Sequence, residues 1–432
     1  MADVTIKPAQ RLNGQVCAPP SKSYTQRMLI AAFLADGTSK VSNPLLSEDT
    51  QATLRAVAAL GARVKTAPGC WTIHGTKTLR GAKEPIDCGE SGATLRFMIP
   101  IAALASGPST LVFRGSLEKR PVEPLLNSLR ELGAKAHVGK LGGVDAVFVD
   151  GGGIVGGKTA IQGDISSQFI SGLMFACPLA KEDTEITLTS PLESADYVKM
   201  TEAVLSKHAI TLGVQQNRIV IPGNQTYKAA DDKVSGDFSS AAFLLAAAAI
   251  TNSKVQVTNL DYESVQGDKA ILTILKQMGV NGTVCADSVE VVGSGSPLKP
   301  IDANAKNIPD LVPAIAALAC YAKGTSRVFG ARRLRLKESD RLNALYTELT
   351  KMGAQIAIED DGLTVTGGAP IHGAVIDPHN DHRIAMACAV AALGAKGKTA
   401  IQNAECVRKS YPQFFTNLKQ LGVDVVGGKF DR

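Results

Sequence analysis

Two cations and a serine open the chemistry of this chain. Lys22, Ser23 and Arg27 stand in the run Pro-Ser-Lys-Ser-Tyr-Thr-Gln-Arg. If a helix starts there, Lys22 and Ser23 lie at its first turn and Arg27 one turn on, along one face. Such a set can grip a phosphate or a carboxylate. A second concentration comprises Arg333, Arg335, Lys337, Glu338, Asp340 and Arg341. A carboxylate among several cations can carry a proton with a tuned pKa. The alternative for such a patch is a solvated loop of local ion pairs. Asp381-His382-Arg383 forms a third group, and Arg120 and Lys409 are single cations beside turn residues. No Cys/His/Asp/Glu spacing here suits a metal ion, so none is expected.

These residues must be held by something, and the chain repeats a unit that can hold them. A short phrase, Leu or Met followed by Gly and then Ala or Val, recurs at Leu60, Leu132, Met278, Met352 and Leu421, about 70 residues apart. One double gap is left. Lys207-His208-Ala209-Ile210 fills it as a degenerate copy, with Leu212-Gly213-Val214 as the alternative. Most copies end an amphipathic helix pattern, as over Pro124 to Leu132 and Leu342 to Met352. The Gly reads as a left-handed helix stop.

A second helix pattern also occurs once per unit and is apolar nearly all round. It covers 24–35, 92–105, 167–180, 238–250, 310–322 and 382–395. Such helices belong inside a domain. Their lead-ins are all polar: Ser21-Lys22-Ser23, Glu90-Ser91-Gly92, Ser166-Ser167-Gln168, Gly236-Asp237, Pro309-Asp310 and Asn380-Asp381-His382-Arg383. Capping explains the Ser and Asp residues. It does not call for Lys22, Gln168 or Arg383. Helix N-termini attract anions, so several meeting at one place would form an anion trap. A unit of this kind cannot hide its faces alone. Three units per core, twice, predicts two similar domains.

The bulk numbers agree with this class. The chain has 432 residues, 45% of them hydrophobic, 20% charged and 5% aromatic, with a net charge of +6. A mild, dispersed positive balance suits anionic partners and alone does not separate nucleic acid from small phosphates or carboxylates. Scattered cations and few aromatics argue against nucleic acid. The eight cysteines show no CxxC pair and are expected to be reduced and buried, as in the cytoplasm. MADVTIKPAQ lacks an apolar leader, and no run reaches the roughly 18 residues of a membrane span. The glycine-rich 151–157 stretch lacks the P-loop Lys-Ser/Thr and is read as a strand connection.

Taken together, eight motifs in order resemble the EPSP synthase family of enolpyruvyl transferases. They are Pro20-Ser21-Lys22-Ser23, Ser166-Ser167-Gln168-Phe169, Gly236-Asp237, Gln266-Gly267-Asp268, Pro309-Asp310, Leu336-Lys337-Glu338-Ser339-Asp340-Arg341, Asn380-Asp381-His382-Arg383 and Lys409-Ser410-Tyr411-Pro412. The resemblance implies an α/β fold of two domains, each of three βαβαββ units around buried helices, in an inside-out barrel-like arrangement. Residues 1–20 with 236–432 would form one domain and 21–235 the other, with the active site in the interdomain cleft. It implies transfer of the enolpyruvyl group of phosphoenolpyruvate to the 5-hydroxyl of shikimate 3-phosphate, with no cofactor; the six-unit architecture can be self-contained, so a cytoplasmic monomer is expected. By motif match, Asp310 and Glu338 would move protons and Lys22 would touch both substrates. Ser23, Arg27, Ser166, Ser167, Gln168, Ser194, Asp310 and Lys337 would hold shikimate 3-phosphate. Gly92, Arg120, Gln168, Arg341, Arg383 and Lys409 would hold phosphoenolpyruvate.

Two departures stand out. The family's Asn-x-Gly-Thr is here Glu90-Ser91-Gly92-Ala93, and Arg333 replaces an Asn before the Lys-Glu pair. They bear on substrate affinity and glyphosate response more than on reaction class. The sister family acting on UDP-N-acetylglucosamine is the nearest alternative, but its loop cysteine has no counterpart before Arg120. RNA 3′-phosphate cyclases share part of the architecture and are the second alternative.

Overall fold

The computed structural model describes residues 3–293 and 295–428. Its twelve α-helices fall in chain order as α1 (Lys22–Leu34), α2 (Glu48–Ala59), α3 (Gly92–Ala103), α4 (Glu123–Glu131), α5 (Ser167–Ala176), α6 (Ala195–Lys207), α7 (Phe238–Ile250), α8 (Ile271–Gln277), α9 (Val312–Ala319), α10 (Arg341–Lys351), α11 (His382–Leu393) and α12 (Phe414–Gln420). The odd-numbered helices are the apolar ones. Every residue of α3, α9 and α11 is buried. The even-numbered ones bury one face only, as in α4, where Leu125, Leu126, Ser128 and Leu129 turn inward. Alanine-rich α7 and α11 present little side-chain bulk, and α7, α9 and α11 all touch one another.

The chain divides into two compact units, residues 1–20 with 235–432 and residues 21–234. Each has its own continuous apolar core and three four-stranded sheets. One repeat illustrates the pattern. Gly157–Ile161 leads into α5, Thr184–Leu188 into α6, and Gly213–Val214 with Arg218–Ile221 finish it. The first two strands run parallel and the last two add antiparallel. Among the described residues no sheet closes into a barrel, so the barrel-like feature amounts to helices inside and sheets outside.

Each unit borrows strands from distant parts of the chain. Asp232–Lys233 pairs in parallel with Thr38–Ser42 and completes the first sheet of the 21–234 unit. Val4–Ile6 lies between Thr399–Ile401 and Val425–Gly427, and Asn13–Cys17 pairs with Lys254–Thr258. That is why residues 1–20 belong with 235–432.

The repeat phrase does what its glycine suggests. Gly61, Gly133, Gly279, Gly353 and Gly422 all take positive φ just past their helices. In the gap, Ala209 occupies the same place with φ +63, whereas Gly213 lies in a strand. The degenerate copy is therefore Lys207 to Ile210. The 151–157 stretch joins the strands Val144–Val149 and Gly157–Ile161. The cysteines differ in part from expectation: five are buried, but Cys17 and Cys285 are exposed. Among the described residues no helix is long and apolar enough to cross a membrane.

Candidate active site

The lead-ins to the buried helices differ in one respect. Ser21, Ser91, Ser166, Asp237 and Asp381 each cap a helix, accepting a backbone N–H two or three residues on. Each such cap is worth about 1 kcal/mol. Helix α9 is the exception. It starts through a 3₁₀ turn, Pro309–Leu311, without a side-chain cap. Asp310 is thus released from capping, and its carboxylate meets cations instead.

In the 235–432 unit these cations converge. Arg341 Nη1 donates to Asp310 Oδ1 at 2.8 Å, and Arg383 Nη2 donates to Asp310 Oδ2 at 3.2 Å. Lys337 Nζ lies 3.6 Å from Asp310 Oδ1. Arg341 is 1% exposed. Its other donors reach Glu338 Oε2 at 2.6 Å and Asp381 Oδ2 at 2.8 Å. Asp381 also accepts from the Ser339 hydroxyl. Lys409 Nζ reaches the Asn380 carbonyl at 2.9 Å.

This packing sets the charges. Burial opposes ionisation of Asp310, but Arg383, Lys337 and Arg341 outweigh it and hold the carboxyl well below the usual range. Burial is also the main effect on Lys337, whose pKa drops to about 8 despite the pull of Asp310. Arg341 stays firmly cationic: its three carboxylates outweigh the cost of burial.

The 21–234 unit gathers its lead-ins differently. Gln26 Nε2 hydrogen-bonds the hydroxyls of Thr53, Ser91 and Thr94, tying α1, α2 and α3 together near their starts. Lys22 Nζ meets Asp49 Oδ2 at 2.8 Å. Arg96, from α3, donates to Gln168 Oε1 at 2.8 Å and to the cap hydroxyl of Ser166 at 3.2 Å. Its guanidinium lies 4.9 Å from the centre of the Phe169 ring. Ser167 and Ser194 are buried, and Ser194 holds the left-handed conformation at the start of α6.

Lys22 and Arg27 share a helix but not a partner. Arg27 is 2% exposed. It donates to Thr201 Oγ1, Ser171 Oγ and the carbonyls of Ser23 and Tyr197. The rings of Phe97 and Tyr197 lie 5.1 and 5.8 Å from its guanidinium carbon. Burial lowers its pKa to about 10, so it remains a cation at neutral pH. The joint grip expected of Lys22, Ser23 and Arg27 is not displayed; the Ser23 carbonyl and its neighbours occupy most of the Arg27 donors.

Gly92 opens α3 directly against Arg120. A Cβ at Gly92 would sit 3.1 and 3.3 Å from the two Arg120 terminal nitrogens. Arg120 Nε is buried without a hydrogen-bond partner among the described residues. Glu90 lies under the turn that leads to Arg120: a Cβ at Gly115 (φ +63) would come within 2.7 Å of the Glu90 carboxyl carbon. Arg333 reaches the Lys306 carbonyl.

Sequence reasoning passed over Asp49, Gln26 and Arg96. A helix apolar on all sides that still carries Gln26 or Arg96 was the available signal. Such a side chain, once buried, needs polar company.

Comparison with known proteins points one way. The EPSP synthase (3-phosphoshikimate 1-carboxyvinyltransferase) family model matches residues 6–418. A 3-phosphoshikimate 1-carboxyvinyltransferase of Methanocaldococcus jannaschii is 43% identical over 97% of this chain and 98% of its own length. One from Methanocorpusculum labreanum is 43% identical over 96% of this chain and 97% of its own. A solved EPSP synthase from Acinetobacter baumannii superposes with a TM-score of 0.84 at 27% identity, covering 99% of this chain and 100% of that one.

Proposed function

The chain belongs to the EPSP synthase family, and on that premise we propose that it moves the enolpyruvyl group of phosphoenolpyruvate onto the 5-hydroxyl of shikimate 3-phosphate, releasing phosphate. The observation that carries this reading is the Asp310 carboxylate held by Arg341, Arg383 and Lys337, with Glu338 on the same Arg341. The reaction needs two proton carriers among cations. The hydroxyl oxygen adds to C2 of the donor while its methylene carbon gains a proton. The tetrahedral adduct then loses phosphate from C2 and a proton from the methyl carbon.

In this reading Asp310 takes the hydroxyl proton and Glu338 serves the methylene carbon. A carboxylate held so acidic is a weak base. Bound substrates would remedy that by bringing phosphate and carboxylate charges to Lys337, Arg383 and Arg341, which raises the proton affinity of Asp310. Lys22 would touch both substrates. Ser23, Arg27, Ser166, Ser167, Gln168, Ser194, Asp310 and Lys337 would serve shikimate 3-phosphate. Gly92, Arg120, Gln168, Arg341, Arg383 and Lys409 would serve phosphoenolpyruvate, and the unpartnered Arg120 Nε supports that assignment. For Arg27 the role is indirect, because its donors already hold Ser23 and Tyr197.

Whole-length relatives favour this acceptor over UDP-N-acetylglucosamine or RNA ends. Each unit has its own core, which is compatible with a monomer, and buried thiols suit a cytoplasmic location. The test is phosphate release from phosphoenolpyruvate. Release that depends on shikimate 3-phosphate and disappears in Lys22→Met supports the reading. Release only with UDP-N-acetylglucosamine, or none with folded protein, overturns it.

A further inference from the structure

We propose that Glu348 is a positioning residue for phosphoenolpyruvate: it holds the turn 377–380, from which the Asn380 carbonyl meets Lys409 and Asp381 leads Arg383 into α11. This rests on the reading above, in which Arg341, Arg383 and Lys409 hold the donor. Glu348 follows Arg341 by two turns of α10, so the two side chains leave the helix on nearly the same face, about 10 Å apart along its axis. Glu348 is fully buried. Its Oε2 accepts from Asp377 N at 3.1 Å, and its Oε1 lies 3.0 Å from His379 Nε2. Lys351, exposed on the next turn, donates to Oε1 at 2.9 Å and to Oε2 at 2.8 Å.

The turn needs that hold. His379 and Asn380 take the left-handed conformation in succession, with φ +52 and +55. Neither is glycine, and such backbone persists where its surroundings fix it. Within the turn, His379 N donates to Asp377 Oδ1 at 2.8 Å and Asp381 N to the Pro378 carbonyl at 2.9 Å. Helix α10 then pins it at both ends. Glu348 takes Asp377 and His379, and Arg341 Nε takes Asp381 Oδ2 at 2.8 Å. The two pins differ in company. Arg341 also meets Asp310 and Glu338, the proposed proton carriers. Glu348 meets Asp377, His379 and Lys351, none of them assigned to a substrate. An ion pair with Lys351 alone would not call for a buried carboxylate. A buried one needs several donors, and here two of them belong to the turn. From the pinned turn, the Asn380 carbonyl meets Lys409 Nζ at 2.9 Å, Asp381 caps α11 through Arg383 N at 2.9 Å, and Arg383 Nη2 reaches Asp310 Oδ2 at 3.2 Å. A shift of the turn therefore moves the settings of Lys409 and Arg383 together.

The experiment compares kcat, the phosphoenolpyruvate KM and the calorimetric Kd of shikimate 3-phosphate in the wild type, Glu348→Ala, Glu348→Gln, His379→Asn and Lys351→Met. In Glu348→Ala the phosphoenolpyruvate KM rises about tenfold, short of the roughly 10²-fold cost of a displacement of about 1 Å, because Arg341 still pins Asp381. The kcat and the shikimate 3-phosphate Kd hold, which is the split left by lost donor binding. Glu348→Gln restores most of the affinity, since an amide can accept from Asp377 N and donate to the other tautomer of His379. His379→Asn keeps a residue that tolerates the left-handed backbone but drops the ring contact, and the KM rises about fivefold, the worth of one hydrogen bond. Lys351→Met removes the ion pair and leaves both turn contacts, so stability falls and the KM stays. The proposal is overturned if Glu348→Ala keeps the wild-type KM, if its shikimate 3-phosphate Kd rises as much as the KM, if Glu348→Gln is no better than Glu348→Ala, or if Lys351→Met raises the KM equally. If Glu348→Ala does not fold, His379→Asn decides, and an unchanged KM there overturns the proposal. A wild type that releases no phosphate with shikimate 3-phosphate overturns the functional reading instead, which separates the two failures.

Discussion

The two units gather cations in opposite ways. In residues 235–432, Arg341, Arg383 and Lys337 share carboxylates: Asp310, Glu338 and Asp381. In residues 21–234, Arg27 and Arg96 rest on hydroxyls, carbonyls, an amide oxygen and aromatic faces, and Lys22 pairs with Asp49. Neutral acceptors orient a guanidinium but leave its charge in place. Carboxylates cancel it, and in exchange they become groups that can carry protons. On the proposed reading, the 235–432 unit supplies the proton carriers and the 21–234 unit cations whose charge is largely left in place.

Asp310→Asn is the hardest test of that division. It keeps the shape and removes the proton carrier, so turnover should fall about 10²–10⁴-fold while shikimate 3-phosphate binding measured by calorimetry persists. Normal turnover would end the assignment. Arg341→Met comes next. It strips buried Asp381 and half-buried Asp310 and Glu338 of their common cation, at about 3–5 kcal/mol by denaturant midpoint. An unchanged midpoint would mean that the network is not the support of its unit. Arg27→Met, surrounded by neutral acceptors, should cost less, and equal losses would erase the contrast.

Lys337 sharpens the comparison through pH. Its ammonium, brought down to about 8 chiefly by burial, is charged below that pH and neutral above it. Shikimate 3-phosphate affinity should decline as pH passes about 8, and Lys337→Met should be weak at every pH, without the decline. The smallest effect belongs to Gly92→Ala. The new methyl presses on the flexible end of Arg120 rather than on backbone. Phosphoenolpyruvate KM should rise by about 1 kcal/mol, or roughly fivefold, with the shikimate 3-phosphate KM unmoved. Melting temperature should hold or improve, since alanine is the better helix former.

Much of the fold was legible because it follows local rules. Phe238–Ile250 is apolar enough to be read as buried at sight, and its observed ends are the expected ones. Elsewhere the ends moved inward where a 3₁₀ turn took over, as at Cys177–Leu179 and Pro309–Leu311. The gap in the repeat needed the backbone: Ala209 adopts the glycine conformation without being glycine, which residue type alone does not announce.

What the sequence determined by itself was the sixfold repeat, the buried helices, their polar lead-ins and the family, since each rests on neighbours in the chain or on ordered motifs. Only the tertiary structure decided the pairing. Lys22 goes to Asp49, Arg96 to Gln168, Arg341 to Asp310 and Asp381, and Arg27 into the interior. These partners lie tens of residues apart, and helices packing around a shared core bring them together. The strength of a charge depends on that burial and company, which is why Asp268 and Asp310, the same residue type, are driven in opposite directions.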